Sequence, residues 1–162
     1  MEVDDLPIEL EVANVLKSGH LMMGTAESCT GGKIASMMTS MAGSSEYFAG
    51  GVVSYCNEVK HNVLGVSEAD LNAFGAVSQP VVEQMARGAM RVLGCDCAVA
   101  TSGIAGPGGG SPSKPVGTVW IAAAYKERIL SECYHFGENP RRENIRLSAE
   151  AALRMLFGLI RE

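Results

Sequence analysis

Apolar residues recur at helical spacing in several stretches of the chain. Ile8, Val12, Val15 and Leu16 share one face, which predicts a helix from about Leu6 to Lys17. Asp5 is placed to cap it, Pro7 suits its first turn, and Ser18-Gly19 ends it. Ile34, Met37, Met38 and Met41 predict a second helix from near Thr30 to near Gly43. Beyond Pro80, the residues Val82, Met85, Ala86, Ala89, Val92 and Leu93 face inward on a helix stopped by Gly94. The last helix runs from about Arg142 to Ile160. Two shorter helices lie between. One, Glu58 to Leu64, is capped by Asn57 and stopped at Gly65; the other opens at Ser67-Glu68-Ala69-Asp70, a capping box with Asp in the acidic slot, and closes at Gly75.

The remaining apolar runs read as strands: Leu21 to Ala26, Tyr47 to Tyr55, and Cys97 to Ser102. Gly50-Gly51 marks a bulge or a close backbone approach. Val116 to Tyr125 and Ile129 to Phe136 form a hairpin across Lys126-Glu127-Arg128. Helices and strands interleave, and then two strands pair directly. The class is therefore α/β, a three-layer α/β/α sandwich with a mixed, mostly parallel sheet. No repeat, charge block or linker divides the chain, so residues 1–162 form a single domain. Ligands bind beyond the carboxyl ends of strands in such folds. Here those ends carry Glu27-Ser28, Tyr55 and Ser102-Gly103.

Composition narrows the classes. The chain is 47% hydrophobic and 19% charged, which suits a compact soluble domain rather than a disordered segment. Its formal net charge is −5, and the only dense basic spot is Arg141-Arg142 with Arg146. That is too little for a nucleic-acid footprint and enough for one phosphate. No apolar run reaches the ~20 residues of a membrane span, and the acidic opening Met1 to Asp5 is unlike a secretory signal. A cytoplasmic protein is expected. The five cysteines, Cys29, Cys56, Cys95, Cys97 and Cys133, are expected to be free thiols. Cys95-Asp96-Cys97 lacks the spacing of a structural zinc site.

Three segments carry candidate chemistry. Glu27-Ser28-Cys29-Thr30-Gly31-Gly32 lies on a strand-to-helix turn. A hydroxyl there gains from free backbone N–H groups, which also suit a developing oxyanion. By spacing alone, Ser28 or Thr30 serves equally as a helix cap. A serine nucleophile needs a base. None of the three histidines, His20, His61 and His135, is well placed in sequence. Tyr55 and Lys60, at the end of one strand and the start of the next helix, are the available activators. A lysine base has to be desolvated to be neutral part of the time; otherwise Lys60 is a solvated helix lysine. The third segment, Thr101 to Pro115, is glycine-rich and suits a nest of N–H groups for an anion, with Lys114 adding charge, or else a flexible surface loop.

Together these segments resemble the C-terminal domain of the CinA family. The resemblance rests on Thr25-Ala26-Glu27-Ser28-Cys29-Thr30-Gly31-Gly32, Gly51 to Lys60, Gly75-Ala76-Val77-Ser78, Thr101 to Gly109, and Lys114-Pro115-Val116-Gly117-Thr118-Val119. It spans nearly the whole chain in order. It implies a mixed five-stranded sheet, hydrolysis of nicotinamide mononucleotide to nicotinic acid mononucleotide and ammonia, no metal or other cofactor, and self-association into a homo-oligomer. By position, Ser28 is the nucleophile, with Lys60 and Tyr55 as base and helper and the proton route between them open. Glu27, Cys29, Thr30, Gly31, Gly32, Ser102, Gly103, Gly106 and Arg142 are the expected substrate contacts. The N–H groups near Thr30 to Gly32 are the expected oxyanion donors.

Two departures stand out. The family's Phe-x-Gly-Asp-Arg stretch reads Phe136-Gly137-Glu138-Asn139-Pro140-Arg141-Arg142 here, with Arg142 and Arg146 expected in the arginine roles. The N-terminal domain of full-length CinA proteins is also expected to be absent, with the activities attributed to it. Alternatives are a different amide substrate, Cys29 as nucleophile (only one of Ser28 and Cys29 being expected to face the cleft), a non-catalytic nucleotide-binding module, and a protein-interaction role.

Overall fold

The computed structural model describes residues 6–162. Asp5, the expected cap, and the acidic opening therefore lie outside the described residues. Helix α1 spans Ile8–Gly19, starts behind Pro7, and buries Ile8, Val12, Ala13 and Leu16. His20, at φ 53, turns the chain out of it in the left-handed conformation. There follow β1 (Met23–Glu27), α2 (Lys33–Thr39), a 3-10 turn at Ser44–Glu46, β2 (Phe48–Val53), α3 (Asn57–Asn62), α4 (Glu68–Phe74) and α5 (Gln79–Leu93). Then come β3 (Cys97–Gly103), β4 (Thr118–Tyr125), β5 (Arg128–His135) and α6 (Arg141–Arg161).

The strands form one five-stranded sheet in the order β2-β1-β3-β4-β5. β1 pairs in parallel with β2 and β3, whereas β4 is antiparallel to both β3 and β5. Four strands thus run one way and β4 runs against them, which divides the pairings equally between the two kinds. The hairpin loop is tighter than its sequence suggests. Only Lys126 and Glu127 separate the strands, with Lys126 at φ 56, and the first residue of β5 is Arg128. Gly50-Gly51 fulfils both expectations. The register shifts between Phe48 and Gly50, skipping Ala49, and a Cβ on Gly51 would run into Thr25 Oγ1 across the strands.

Side-chain alternation divides the core into two clusters. Met23 of β1, Cys97 and Val99 of β3, and Val119, Ile121 and Ala123 of β4 pack with apolar residues of α1, α2 and α6. Ala26, Ala98, Ala100, Ala122 and Ala124 face the opposite way, against Leu71 of α4 and Val82, Met85, Ala86 and Ala89 of α5. Helices therefore cover both faces of the sheet. Alanines on the α5 side let that helix approach closely. Gly88 lies against Leu64 so tightly that a Cβ would meet its backbone carbonyl. One inward assignment fails: Val92 is 47% exposed on the last turn of α5, and Val81 is buried instead. Ser67 caps α4 through Asp70 N–H, but Asp70 spends its carboxylate on Gln84 Nε2 and does not complete the box.

Helix α2 is shorter than its apolar spacing suggests. Gly31 (φ 58) and Gly32 (φ 101) hold the preceding residues in a left-handed turn, and the helix begins only at Lys33. Residues 28–32 are thus an ordered loop at the carboxyl end of β1.

Candidate active site

A cleft of about 460 Å³ opens beyond the carboxyl ends of β1 and β3. Ser28 and Cys29 come from the turn after β1, and Tyr55, Cys56, Asn57 and Lys60 from the segment after β2. The loop after β3 contributes Ser102, Gly103, Gly106 and neighbours, and Arg141 arrives on the first turn of α6. Among the described residues no Asp or Glu lines the cleft, although the whole chain is net acidic, and the charged side chains that line it are Lys60 and Arg141. No histidine lines it. His20 ends α1, His61 is bonded through Nδ1 to Val66 O at 2.7 Å, and His135 closes β5.

Ser28 is fixed by the sheet. Its N–H donates to Thr101 O at 3.0 Å, extending the β1–β3 pairing one residue past the strand. Its hydroxyl faces Lys60, whose Nζ lies 3.1 Å from Ser28 Oγ. Lys60 is 1% exposed, and its Nζ also donates to Ser54 O at 2.8 Å and Tyr55 O at 3.2 Å. Among the described residues no carboxylate forms an ion pair with it. Burial therefore dominates its titration and pulls its pKa below the ordinary lysine value; the thiols of Cys56 and Cys29 oppose this weakly.

The geometry restricts the proton. The two carbonyls can only accept, so they use two N–H bonds of the amine. In neutral Lys60 the remaining site is a lone pair, directed at the third neighbour, Ser28 Oγ. Of the three hydrogen-bonding neighbours of the amine, the Ser28 hydroxyl is the one able to donate to that lone pair.

Tyr55 contributes differently from the expectation. Its carbonyl holds Lys60, but its phenol is at the rim, 60% exposed, and accepts a hydrogen bond from Arg141 at 3.0 Å. No hydrogen bond links it to Ser28 or to Lys60 Nζ. Arg141 also donates to Gly106 O at 2.9 Å, so it joins the rim after β2 to the glycine loop.

Ser102, 1% exposed, and Gly103 line the cleft as expected. A Cβ at Gly103 would lie 2.6 Å from Val119 Cγ2, so the wall requires glycine there. The N–H groups of Cys29, Ala105, Gly106, Gly108 and Gly109 have no protein acceptor among the described residues and are free for an anion. Asn144, fully buried on α6, braces the loop by donating to Ala105 O and Gly137 O.

Other expected contacts lie elsewhere. Glu27 is fully buried with its carboxylate turned to α2, and Thr30 is buried behind the turn. Gly31 and Gly32 shape the turn and do not line the cleft. The lining arginine is Arg141, not Arg142, because one residue rotates a helical side chain by about 100°. Arg146 is tied to Glu143 and Glu150 along α6. Lys114 donates to Phe74 O at the end of α4 and does not line the cleft. Cys29 borders the cleft beside Ser28, but it packs in the core cluster with Ile34 and Met38, and burial pushes its thiol up to about 11. Such a thiol holds little thiolate at neutral pH.

All five cysteines are free. Among the described residues, no group of three or more His, Cys, Asp or Glu is close enough to hold a metal ion. No described helix is long and apolar enough to cross a membrane. The Ser54 carbonyl is the contributor missed in sequence, since a main-chain carbonyl leaves no signal there. Arg141 belongs to the basic spot expected to hold a phosphate, but the lining role is expected of its neighbour Arg142.

Residues 5–160 match the family model of the CinA C-terminal domain. The nicotinamide-nucleotide amidohydrolase PncC of Enterobacter agglomerans is 48% identical over 143 residues, which cover 88% of this chain and 86% of that protein. A CinA-like protein of Chlorobium limicola is 44% identical over 162 residues, covering 98% of this chain but 38% of its own length. The chain thus spans little more than a third of such relatives. Among solved structures, the competence/damage inducible protein CihA from Agrobacterium tumefaciens superposes with a TM-score of 0.92 at 39% identity, covering 100% of both chains. A CinA superfamily protein from Escherichia coli gives 0.89 at 32% identity, covering 98% of this chain and 94% of that one.

Proposed function

The chain belongs to the CinA C-terminal domain family, and on that footing we propose that it is a serine amidohydrolase converting nicotinamide mononucleotide to nicotinic acid mononucleotide and ammonia. The observation that carries the reading is the buried Lys60 amine, 3.1 Å from Ser28 Oγ and without a carboxylate partner. A structural lysine gains by pairing with an acid; a base gains by being left without one. The PncC relative is the reason for choosing this amide.

In the proposed reaction, Ser28 Oγ bonds to the carboxamide carbon while its proton passes to Lys60 Nζ. The carbonyl electron pair moves onto oxygen, which is met by free N–H groups at the cleft, that of Cys29 among them. Collapse re-forms the carbonyl and breaks the C–N bond, with the Lys60 proton going to nitrogen as ammonia leaves. Water then attacks the acyl ester and gives a proton to Lys60. The acid departs and Ser28 recovers its proton. Arg141 and the free N–H groups of Gly106, Gly108 and Gly109 suit the phosphate. Tyr55 then orients Arg141 rather than carrying the proton.

The test is ammonia release from nicotinamide mononucleotide by the purified chain and by Ser28→Ala. Turnover by the parent and a loss of about 10³-fold or more in the variant are expected. Equal rates would remove Ser28 from the chemistry. Tight binding with no turnover by the parent would make the domain a nucleotide-binding module.

A further inference from the structure

We infer that Glu27 is a positioning residue that sets the Ser28–Lys60 geometry. This deepens the proposed reaction and rests on it for its kinetic readout. Glu27 does not line the cleft, and it is fully buried with no cation beside it among the described ion pairs. Three neutral donors hold its carboxylate. Thr30 Oγ1 is at 2.8 Å and Ile34 N at 2.9 Å from Oε1; Ala35 N is at 3.0 Å from Oε2. A buried polar group whose partners are all satisfied rigidifies the elements it joins.

The bonds of Glu27 reach every part of the reacting pair. Its carboxylate anchors the first turn of α2, which has no capping side chain of its own, and so closes the loop carrying Ser28. Through Thr30 it reaches Thr101 Oγ1 at 2.8 Å, and the Thr101 carbonyl holds Ser28 N–H. Its own carbonyl accepts from Ser54 N at 2.8 Å, and the Ser54 carbonyl holds Lys60 Nζ. The nucleophile and its base are therefore both indexed to one residue. Strand alternation produces this: Glu27 faces the interior with Met23, and Ser28, the next residue, faces the cleft.

The experiment compares Glu27→Gln and Thr30→Val with the parent chain. Glutamine keeps the size but turns one acceptor into a donor facing N–H or O–H donors. Thr30→Val removes two bonds, to Glu27 Oε1 and to Thr101 Oγ1, and leaves both backbone N–H partners of the carboxylate, so it serves where Glu27→Gln does not fold. Fold is checked by circular dichroism and thermal unfolding, and kinetics are corrected for the folded fraction.

A shift of about 1 Å in a reacting pair costs on the order of 100-fold in rate. For Glu27→Gln, kcat is expected to fall by about that factor, with KM within about threefold. Thr30→Val is expected to lose less, in kcat again. Labelling of Ser28 by a small fluorophosphonate, followed by intact mass, is expected to slow in parallel. Labelling needs no amide substrate. If the parent labels but releases no ammonia, the amidase proposal fails while the positioning claim stands on the labelling rates. Unchanged kcat and labelling in the folded variants, or a change confined to KM, would overturn the role of Glu27.

Discussion

Replacing Lys60 separates its two conceivable contributions, a proton acceptor and a fixed positive charge. Lys60→Met keeps the length and apolar stem and removes the amine. The Ser54 and Tyr55 carbonyls then lose their N–H donor, at about 1 kcal/mol each, or about 2 kcal/mol together. Against this, a desolvated amine without an acid partner is gone, and Met packs well at a site 1% exposed. Stability at pH 7 is therefore expected to change by less than about 2 kcal/mol. Loss of a positioned base lowers kcat/KM by about 10²–10⁴-fold, or about 3–5 kcal/mol of transition-state stabilisation. Lys60→Arg keeps a cation that stays protonated, and it is expected to be as inactive as Lys60→Met.

The pH profile gives the sign. Lys60 must be neutral to accept the Ser28 proton, so kcat/KM of the parent rises with pH as the ammonium deprotonates. The midpoint lies below the ordinary lysine value of about 10.4, because burial lowers the pKa. Stability follows the same direction. Between the lowered folded pKa and the unfolded one, the unfolded chain holds the extra proton, so stability rises with pH across that window. Below the folded pKa both states are charged and the contribution is flat. The assays are steady-state ammonia release from pH 6 to 10 and urea unfolding at the same pH values. An Arg variant with more than a tenth of parental kcat/KM, or a parental profile that falls as Lys60 deprotonates, would refute Lys60 as the base.

Arg141→Ala is expected to raise KM for a phosphate-bearing amide by about 10–100-fold, as one charge-assisted contact is lost, while Arg142→Ala stays within about twofold; steady-state kinetics decide. Iodoacetamide at pH 8, with peptide mass mapping, is expected to modify exposed Cys56 before Cys29, whose thiol is pushed up to about 11, and Cys29→Ala is expected to keep ammonia release within about fivefold. Gly88→Ala, favourable by about 1 kcal/mol on helix propensity, is expected instead to destabilise by more than about 1 kcal/mol, because its Cβ meets the Leu64 carbonyl; thermal unfolding reads the sign.

Much of the site was legible before any coordinates. Ser28 and Lys60 stand on a strand-to-helix turn and a helix start, and the motifs around them are contiguous. What escaped was direction. Tyr55 lies near Lys60 in sequence, yet its phenol turns to Arg141, a partner 86 residues away. Glu27 adjoins Ser28 and serves the interior. Lys114 follows a glycine-rich run and reaches the end of α4 instead. In each case the side chain's partner belongs to another element, and no local pattern encodes it.

The sequence by itself determined the elements, their order and the α/β class. Apolar periods of 3.6 and 2, with glycine, proline and serine at the ends, are local properties of the chain. It also marked Ser28 as the hydroxyl to follow. Only the tertiary structure decided that this hydroxyl meets Lys60 at 3.1 Å, that Lys60 is buried with no acid beside it, and that Arg141 rather than Arg142 faces the cleft. A distance between residues 32 positions apart depends on the β1–β2 register and on what fills the space behind it. Burial, and with it the lowered pKa that makes an amine a base, is a property of the packed molecule and not of the lysine.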